Sequence, residues 1–386
     1  MTAKPTFAHI LNVADARHAA ARRLPRGLFD YVDRGSEDEI AIATNRSQLD
    51  AIRLAPSVLV DVSRRSTETN ILGHSQPLPL VIAPTAVAGL VWHEGEIAIA
   101  RAAAATGIPF CVSTQSITSI ERIAAEAGAR LWFQLYVWKN RQRMLALLER
   151  AWAAGAETLV LTVDTPVSPN REYNLRNGFG IPLKASWRAG LDVALHPRWA
   201  VSVMLRALAT GGVPTYAHYP DEFRTRLGRA TLSDEVSLAT DVTWEDVKLL
   251  RRHWRGKLVL KGILRVDDAQ TALAHGCDAI VVSNHGARNL DCAPGPVQVL
   301  PAIAEAVDGR LEVLADSGVR RGADIARFLA LGASGVLIGR APLYGVAIGG
   351  ADGTSRILAI LAAELRTAMA FLGARDLSDL PRSRWS

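Results

Sequence analysis

The sequence predicts an α/β fold: a (β/α)8 TIM barrel with an N-terminal helical segment and a long insertion after strand 4. From residue 78 onward, eight short apolar runs rich in β-branched residues alternate with longer runs of helical periodicity. Each short run is apolar throughout, as in parallel strands that helices cover on both faces. Eight such strands favour a closed barrel, because a doubly wound sheet usually has fewer.

The predicted elements follow one another in a regular order. The strands cover residues 78–84, 109–113, 131–136, 158–164, 257–262, 279–284, 312–317 and 335–340. The helices between them cover residues 94–106, 119–127, 143–154, 244–254, 267–275, 297–307 and 323–331. A closing helix is predicted over 357–372. Glycines such as Gly107 and Gly332 stand where a helical run stops, which is typical of a helix C-terminus.

Two segments lie outside this repeat, although the chain is predicted to form one domain over residues 1–386. Residues 1–77 are predicted to form a mostly helical cap, followed by the barrel over 78–345 and a C-terminal helix and tail over 346–386. The gap between strands 4 and 5 is too long for one crossover. It therefore predicts an insertion, which we place at 178–240.

The insertion has two open interpretations. It contains a short apolar stretch at 196–208, and its basic residues outnumber its acidic ones. These basic residues are Lys184, Arg188, Arg198, Arg206, Arg224, Arg226 and Arg229. The insertion is expected to form either a lid over the active site or an interfacial segment that touches anionic lipid.

Composition narrows the class of protein. The net charge is +6 over 386 residues, but Lys and Arg are scattered rather than gathered in the stripe expected of a nucleic-acid-binding protein. The three cysteines have no metal or disulfide spacing. No signal-peptide pattern and no membrane-spanning apolar stretch are recognised. We expect a cytoplasmic protein, or one lying on the cytoplasmic face of the inner membrane, with anionic small-molecule ligands.

Polar residues mark the ends of the predicted strands, where the active sites of such barrels lie. Gly318 and Arg320 follow strand 7, and Gly339 and Arg340 end strand 8, the usual place for a phosphate group in this fold. Neither a Gly-x-Gly-x-x-Gly turn after a strand nor a P-loop is present, which argues against a nicotinamide dinucleotide and against nucleoside triphosphates. No metal-binding motif is recognised either. Flavin mononucleotide (FMN) fits better.

The flavin ring would meet donors from neighbouring strand ends. Gln134, Thr162 and Lys261 can reach its nitrogens and carbonyls, and a lysine would stabilise negative charge on the reduced ring. A barrel-mouth salt bridge is the alternative explanation of Lys261.

A histidine and a carboxylate follow strands 6 and 4. His285 is suited to act as a general base near neutral pH, and Asp164 could orient it. Arg171 and Arg288 could bind a substrate carboxylate by paired hydrogen bonds. Alternatively, Arg171 belongs to a solvated loop.

These residues belong to motifs that resemble the FMN-dependent L-2-hydroxy-acid oxidase and dehydrogenase family, which includes glycolate oxidase, L-lactate dehydrogenase and (S)-mandelate dehydrogenase. The motifs are SNHGAR at 283–288, FQLY at 133–136, LTVDTP at 161–166, KG at 261–262 and DSGVRR at 316–321. The resemblance implies FMN-dependent oxidation of an L-2-hydroxy acid to the 2-oxo acid.

The resemblance also implies a role for each matching residue. His285 is the base, Asp164 assists it, and Tyr136 lies near the substrate oxygen. Tyr31, Arg171, Arg288 and Tyr136 bind the substrate. The implied FMN-binding residues are Pro84, Thr85, Ala86, Ser113, Gln134, Thr162, Lys261, Asp316, Ser317, Gly318, Arg320, Gly339 and Arg340.

Departures from glycolate oxidase favour the bacterial dehydrogenases of (S)-mandelate or L-lactate. Ser317 stands where glycolate oxidase has Gly, Gln115 where it has Trp, and Ser168 where it has a bulky apolar residue. The resemblance implies a homotetramer and a membrane quinone as electron acceptor. An oxygen-using oxidase, a non-redox FMN barrel enzyme and a non-catalytic membrane-binding scaffold are the alternatives.

Overall fold

A computed structural model describes residues 7–179, 187–223 and 233–380 and contains a closed barrel of eight parallel strands. Each strand pairs with the next along the chain, and the last pairs with the first, as in Val336 with Leu80. The (β/α)8 prediction is confirmed, with strand ends within two residues of those expected. The strands are β1 Leu80–Ile82, β2 Phe110–Ser113, β3 Leu131–Leu135, β4 Thr158–Thr162, β5 Lys257–Ile263, β6 Ala279–Val282, β7 Glu312–Ala315 and β8 Gly335–Ile338.

Seven helices lie where the periodicity predicts them, again within two residues at either end. They are Gly95–Thr106, Ile120–Ala127, Arg141–Ala153, Trp244–His253, Val266–Ala274, Pro296–Val307 and Gly322–Ala330. Gly107 and Gly332, which follow two of them, have φ angles of 73° and 107°. This left-handed conformation ends a helix at little cost in a residue that has no Cβ.

The C-terminal helical region differs from its prediction. Helical structure begins at the end of β8 and runs over Arg340–Phe371, with a break at Gly349 and Gly350. A Cβ on Gly349 would lie 2.0 Å from the Phe7 ring, so close packing against the N-terminal segment requires glycine there. The glycine pair interrupts the apolar periodicity, which is why the sequence predicts only the second half, 357–372.

This same region, Arg340–Phe371, has the length and apolar character of a membrane span. Half of its most apolar window is nevertheless buried inside the protein, including Ile357, Leu358 and Leu361. Its packing against the rest of the protein identifies it as a core helix.

The N-terminal segment is only partly as predicted. Helices cover Val13–Arg23, Arg26–Asp33 and Ile40–Ala51, but an antiparallel hairpin of Thr69–Ile71 and His74–Gln76 follows. Its strands have three residues each, too few for an alternating pattern to be recognised. Ile71 and Leu72 pack into the barrel interior with Val81 and Trp132. The interior below the strand ends is thus filled by apolar side chains, so a ligand can bind only above it.

The insertion is described in part. It contains the helices Trp187–Leu195, Pro197–Trp199 and Arg206–Thr210, a π-helical turn over Ala200–Leu205, and short 3-10 turns at Asp221–Phe223 and Asp234–Val236. Trp199 anchors it to the barrel through a hydrogen bond of 2.8 Å from Nε1 to the Leu90 carbonyl. Lys184, Arg224, Arg226 and Arg229 of the predicted basic set lie outside the described residues, as does the Arg188 side chain.

Candidate active site

One cavity at the carboxyl ends of the strands brings together nearly all of the predicted site residues. The cavity together with its solvent-filled opening spans about 1080 Å³. The predicted residues that line it are Tyr31, Pro84, Thr85, Ala86, Ser113, Gln134, Tyr136, Thr162, Arg171, Lys261, His285, Arg288, Asp316, Ser317, Gly318, Arg320, Gly339 and Arg340. Asp164 lies behind His285 rather than on the wall.

The loop after β6 holds His285 in an unusual backbone conformation. Its φ angle is 58°, and its N–H donates to Ser283 Oγ at 3.0 Å. The ring nitrogen Nδ1 lies 2.8 Å from Asp164 Oδ1. Asp164 has this position because Gly262 of β5 has no side chain, since a Cβ there would lie 2.5 Å from the Asp164 Cβ.

The protonation states of this pair suit a base and its partner. Burial lowers the pKa of His285 below its usual value, although the Asp164 charge opposes the shift. Burial alone would raise the pKa of Asp164, but His285, Lys261 and Thr165 together lower it. An ionised Asp164 accepts a hydrogen bond from the Nδ1–H of His285, so the lone pair of the neutral imidazole is left on Nε2.

Lys261 is a buried cation at the mouth of β5. Its Nζ lies 3.2 Å from Asp316 Oδ2 and donates to Ser283 Oγ at 3.0 Å. Burial would lower the Lys261 pKa, but Asp316 and Asp164 raise it, so the ammonium stays charged. Lys261 therefore makes the barrel-mouth salt bridge and also faces the cavity.

The ends of β2, β3 and β4 carry a polar network. The side-chain oxygen of Gln134 accepts from Ser113 Oγ at 3.2 Å, and its Nε2 donates to Thr162 Oγ1 at 3.0 Å. All three side chains are buried and line the cavity. Their mutual hydrogen bonds fix a row of donors and acceptors along one wall, as a planar heterocycle requires.

Two arginines meet at the open side of the cavity. The Arg171 guanidinium donates to the Arg288 carbonyl at 3.1 Å, and Arg288 donates to the Tyr31 and Arg34 carbonyls at 2.7 and 3.0 Å. Burial and the charge of Arg288 lower the pKa of Arg171 to about 10. Neither arginine forms an ion pair with a carboxylate in the described part of the chain. The pair offers charge-assisted hydrogen bonds to an anion.

Two tyrosines complete this side. Arg288 lies over the Tyr31 ring at 5.2 Å from its centroid. Burial and the Asp164 charge raise the pKa of Tyr136 to about 12, so its phenol stays protonated at neutral pH. Tyr136 can therefore act as a hydrogen-bond donor.

The end of the cavity that the loops after β7 and β8 form, next to Arg288, is strongly cationic. Arg340 donates to the Gly286 and Arg34 carbonyls at 2.8 and 3.1 Å. Burial and the charges of Arg288 and Arg320 lower its pKa to about 10. Arg340 also begins the helix after β8, and a helix N-terminus favours anions. A phosphate here would relieve the repulsion between these cations.

The residues present fit FMN. Its phosphate matches the cationic end with Arg320 and Arg340, and its ring matches the polar wall of Gln134 and Thr162 and the buried ammonium of Lys261. Ser317 and Gly318 have φ angles of 80° and 94°. Their backbone lines the part of the cavity between the cationic end and the polar wall.

Several cavity residues were not predicted from sequence. Gly286, Val319, Leu337 and Leu343 also line the wall. The first two lie within recognised motifs, whereas the two leucines carry no local signal. Ser168, one of the positions at which the sequence departs from glycolate oxidase, is exposed and does not line the cavity.

Gln115 lines the cavity and connects it to the insertion. The buried Tyr219 forms a side-chain hydrogen bond with Gln115 and packs edge-to-face on Trp138, with ring centroids 5.2 Å apart. Tyr216 packs against Tyr219 at 5.0 Å. Tyr216 and Tyr219 of the insertion therefore support the cavity wall beside Gln115. No local sequence pattern could reveal this contact, because the two segments are far apart in the chain.

Comparisons with known proteins agree with this geometry. The profile of the FMN-dependent dehydrogenase family matches residues 20–386. The chain is 43% identical over 377 residues to an L-lactate dehydrogenase of Caulobacter vibrioides, with 96% of each chain covered. It is 41% identical over 372 residues to an (S)-mandelate dehydrogenase of Pseudomonas putida, covering 96% of this chain and 93% of that one.

A solved structure is similar over the same extent. The crystal structure of a monotopic membrane protein, (S)-mandelate dehydrogenase, superposes with a TM-score of 0.91 at 39% identity. It covers 97% of this chain and 99% of that one.

Proposed function

The chain belongs to the FMN-dependent dehydrogenase family, and on that premise we propose that it is an L-2-hydroxy-acid dehydrogenase acting on (S)-mandelate or L-lactate. One observation carries the proposal. His285, which Asp164 holds from behind, lines the same cavity as two arginines that lack a carboxylate partner among the described residues. A 2-hydroxy acid supplies both missing groups, a carboxylate for the arginines and a carbinol for the base.

The roles of the residues follow from their contacts. Arg171 and Arg288 bind the substrate carboxylate, and Tyr31, packed against Arg288, shapes that side of the site. Tyr136 donates a hydrogen bond to the substrate hydroxyl oxygen. With the substrate so oriented, His285 Nε2 takes a proton from the carbinol group, and Asp164 stabilises the imidazolium that results.

When bound, FMN would supply the acceptor for the two electrons and the second hydrogen that the carbinol group loses as the 2-oxo acid forms. The charged, buried Lys261 would stabilise negative charge on the reduced flavin ring. Gln134, Ser113 and Thr162 hold the ring in place. Pro84, Thr85, Ala86, Asp316, Ser317, Gly318, Arg320, Gly339 and Arg340 form the remaining contacts to the cofactor.

Anaerobic addition of substrate tests the reaction. The purified yellow protein is expected to lose its flavin absorbance near ~450 nm on addition of (S)-mandelate or L-lactate. The (R)-mandelate and D-lactate enantiomers serve as controls and should leave the absorbance unchanged. A protein that retains FMN but is bleached by no L-2-hydroxy acid would contradict the proposal.

We propose further that the protein works at a membrane surface, with a quinone as its electron acceptor. Support comes from the insertion, where Val201, Met204, Leu205 and Leu208 recur at the spacing of one helical face and point to solvent. Val201 and Leu205 are 61% and 54% exposed. The opposite face carries the buried Trp199 and docks on the barrel. An outward apolar face flanked by arginines is typical of an interfacial helix.

In this proposal, residues 1–386 form one domain. The protein assembles as a homotetramer and lies on the cytoplasmic face of the inner membrane. A quinone within the bilayer would then collect electrons near the insertion. Rapid reoxidation of the bleached protein by a soluble quinone analogue, together with slow reoxidation by air, would support a dehydrogenase over the oxygen-using oxidase.

The outward apolar face yields a measurable prediction. A Val201→Gln/Leu205→Gln/Leu208→Gln variant is expected to bind phospholipid vesicles at least about tenfold more weakly, because three partly exposed apolar side chains lose their burial in lipid. Co-sedimentation with vesicles measures the change.

The matched control removes apolar surface elsewhere. Val58, Leu59 and Phe371 are also exposed but lie outside the insertion. Their triple glutamine variant should bind vesicles as the parent does. Equal loss in both variants would show that the insertion is not the membrane-binding element.

A further inference from the structure

A cationic groove lies where the insertion meets the N-terminal helix Val13–Arg23. Its charged and titratable lining comprises Arg22, Arg23 and Arg198 together with His9 and His196. The remaining lining residues are Phe7, Ala19, Leu195, Pro197 and Ile348. The groove is separate from the cavity at the strand ends, because the two share no residue.

The three arginines have no acidic partner. In the described part of the chain, no carboxylate oxygen lies within salt-bridge distance of Arg22, Arg23 or Arg198. The nearest acidic side chain on the insertion, Asp192, is directed to His196 at 3.4 Å and to the Gly27 N–H, and does not line the groove. The described residues therefore leave the net positive charge of the groove uncompensated.

Arg23 is held in place although its charge is uncompensated. It lies over the Trp92 ring at 4.7 Å and donates from Nη2 to Ser202 Oγ at 2.9 Å. Its Nε is buried and has no hydrogen-bond partner. Burial and the charge of Arg198 lower its pKa. A fixed guanidinium with an unused donor, beside a second cation, is arranged as in anion-binding sites.

Exposed leucines of the insertion border the groove. Leu195 lines it and is 71% exposed, and Leu191, one helical turn earlier, is 55% exposed. A ligand that fits must therefore present an anion to the arginines and an acyl chain to the leucines. Phospholipids have this combination, whereas a free phosphate ion or a nucleotide has no part that would contact Leu195.

We propose that this groove is a binding site for the phosphate headgroup of an anionic phospholipid, with Arg22, Arg23 and Arg198 as its ligands. The inference rests on the proposed membrane association and deepens it. The interfacial helix would provide the depth of insertion, and the groove would provide preference for anionic lipid and fix the orientation of the protein on the surface.

The test uses the flavin-loaded, full-length protein and an Arg22→Gln/Arg198→Gln variant. Both arginines are exposed, and neither packs against the core, so the fold and the dehydrogenase activity with a soluble acceptor should be unchanged. The control is Arg64→Gln/Arg252→Gln. It removes the same net charge from two exposed arginines that do not line the groove and that form no ion pair with another described residue.

Titration calorimetry with dihexanoyl phosphatidylglycerol, below its micelle concentration, measures binding at the groove without a bilayer. The parent and the control variant should bind equally, and the groove variant roughly 25-fold more weakly. Inorganic phosphate at the same concentrations should not bind. Equal affinities in the two variants, absence of binding to the parent, or equally tight binding of inorganic phosphate would each overturn the proposal.

Vesicle co-sedimentation separates this inference from the proposed membrane association. The parent should bind vesicles that contain phosphatidylglycerol more tightly than vesicles of phosphatidylcholine alone, and the groove variant should lose only that preference. If the parent binds both kinds equally, the groove proposal fails while membrane association stands. If it binds neither kind although the calorimetric result holds, membrane association fails while the site stands.

Discussion

Replacement of His285 by glutamine is expected to lower kcat by about 10³-fold to 10⁴-fold. Glutamine can still donate to Asp164, which lies 2.8 Å from His285 Nδ1, but it has no group that accepts a proton near neutral pH. Stopped-flow bleaching of the flavin measures the loss in the reductive step directly. The variant should keep its FMN, because the cationic end and the polar wall of the cavity are untouched.

The pH dependence of kcat/KM provides a control for this prediction. Only a neutral His285 can accept a proton, so kcat/KM should fall as the pH drops through a His285 pKa that burial places below its usual value. In an Asp164→Asn variant the negative charge that raises this pKa is lost. The acid limb should therefore move to lower pH. An upward shift, or a His285→Gln variant that loses less than about tenfold in rate, would exclude His285 as the base.

Replacement of Arg171 by methionine is expected to lower kcat/KM by roughly 30-fold to 1000-fold, mainly through KM. Loss of one partner of a buried, hydrogen-bonded charge pair costs about 2 to 4 kcal/mol. Arg171 is the better test of the two arginines, because Arg288 also holds the Tyr31 and Arg34 carbonyls and its loss would disturb the wall. Steady-state kinetics with (S)-mandelate and L-lactate measure the effect.

Two further variants show whether the charge and the paired hydrogen bonds of Arg171 account for the result. Arg171→Lys should retain part of the affinity, because it keeps the charge but cannot make paired hydrogen bonds to a carboxylate. Arg64→Met, at an exposed position outside the cavity, should behave as the parent. If kcat/KM of Arg171→Met stays within threefold of the parent, the carboxylate is bound elsewhere, and a different reaction in an FMN barrel becomes the better explanation.

The sequence by itself determined the barrel and most of its active site. A buried parallel strand must be apolar throughout and a helix must repeat every 3.6 residues, so local patterns are enough to locate β1 to β8 and the helices between them. The closed order of the strands then places the residues that follow them, such as His285 and Lys261, at one end of the barrel. Their convergence follows from topology, and the structure agrees.

Only the tertiary structure decided the features that depend on contacts between distant segments. The hairpin after residue 68 and the helical turns that begin at Arg340 are too short or too interrupted to show a period. The contact of Gln115 with Tyr219 and the groove between Arg22 and Arg198 join segments about a hundred residues or more apart. Distances between such segments are set by packing, and packing is a property of the whole fold rather than of any local run of residues.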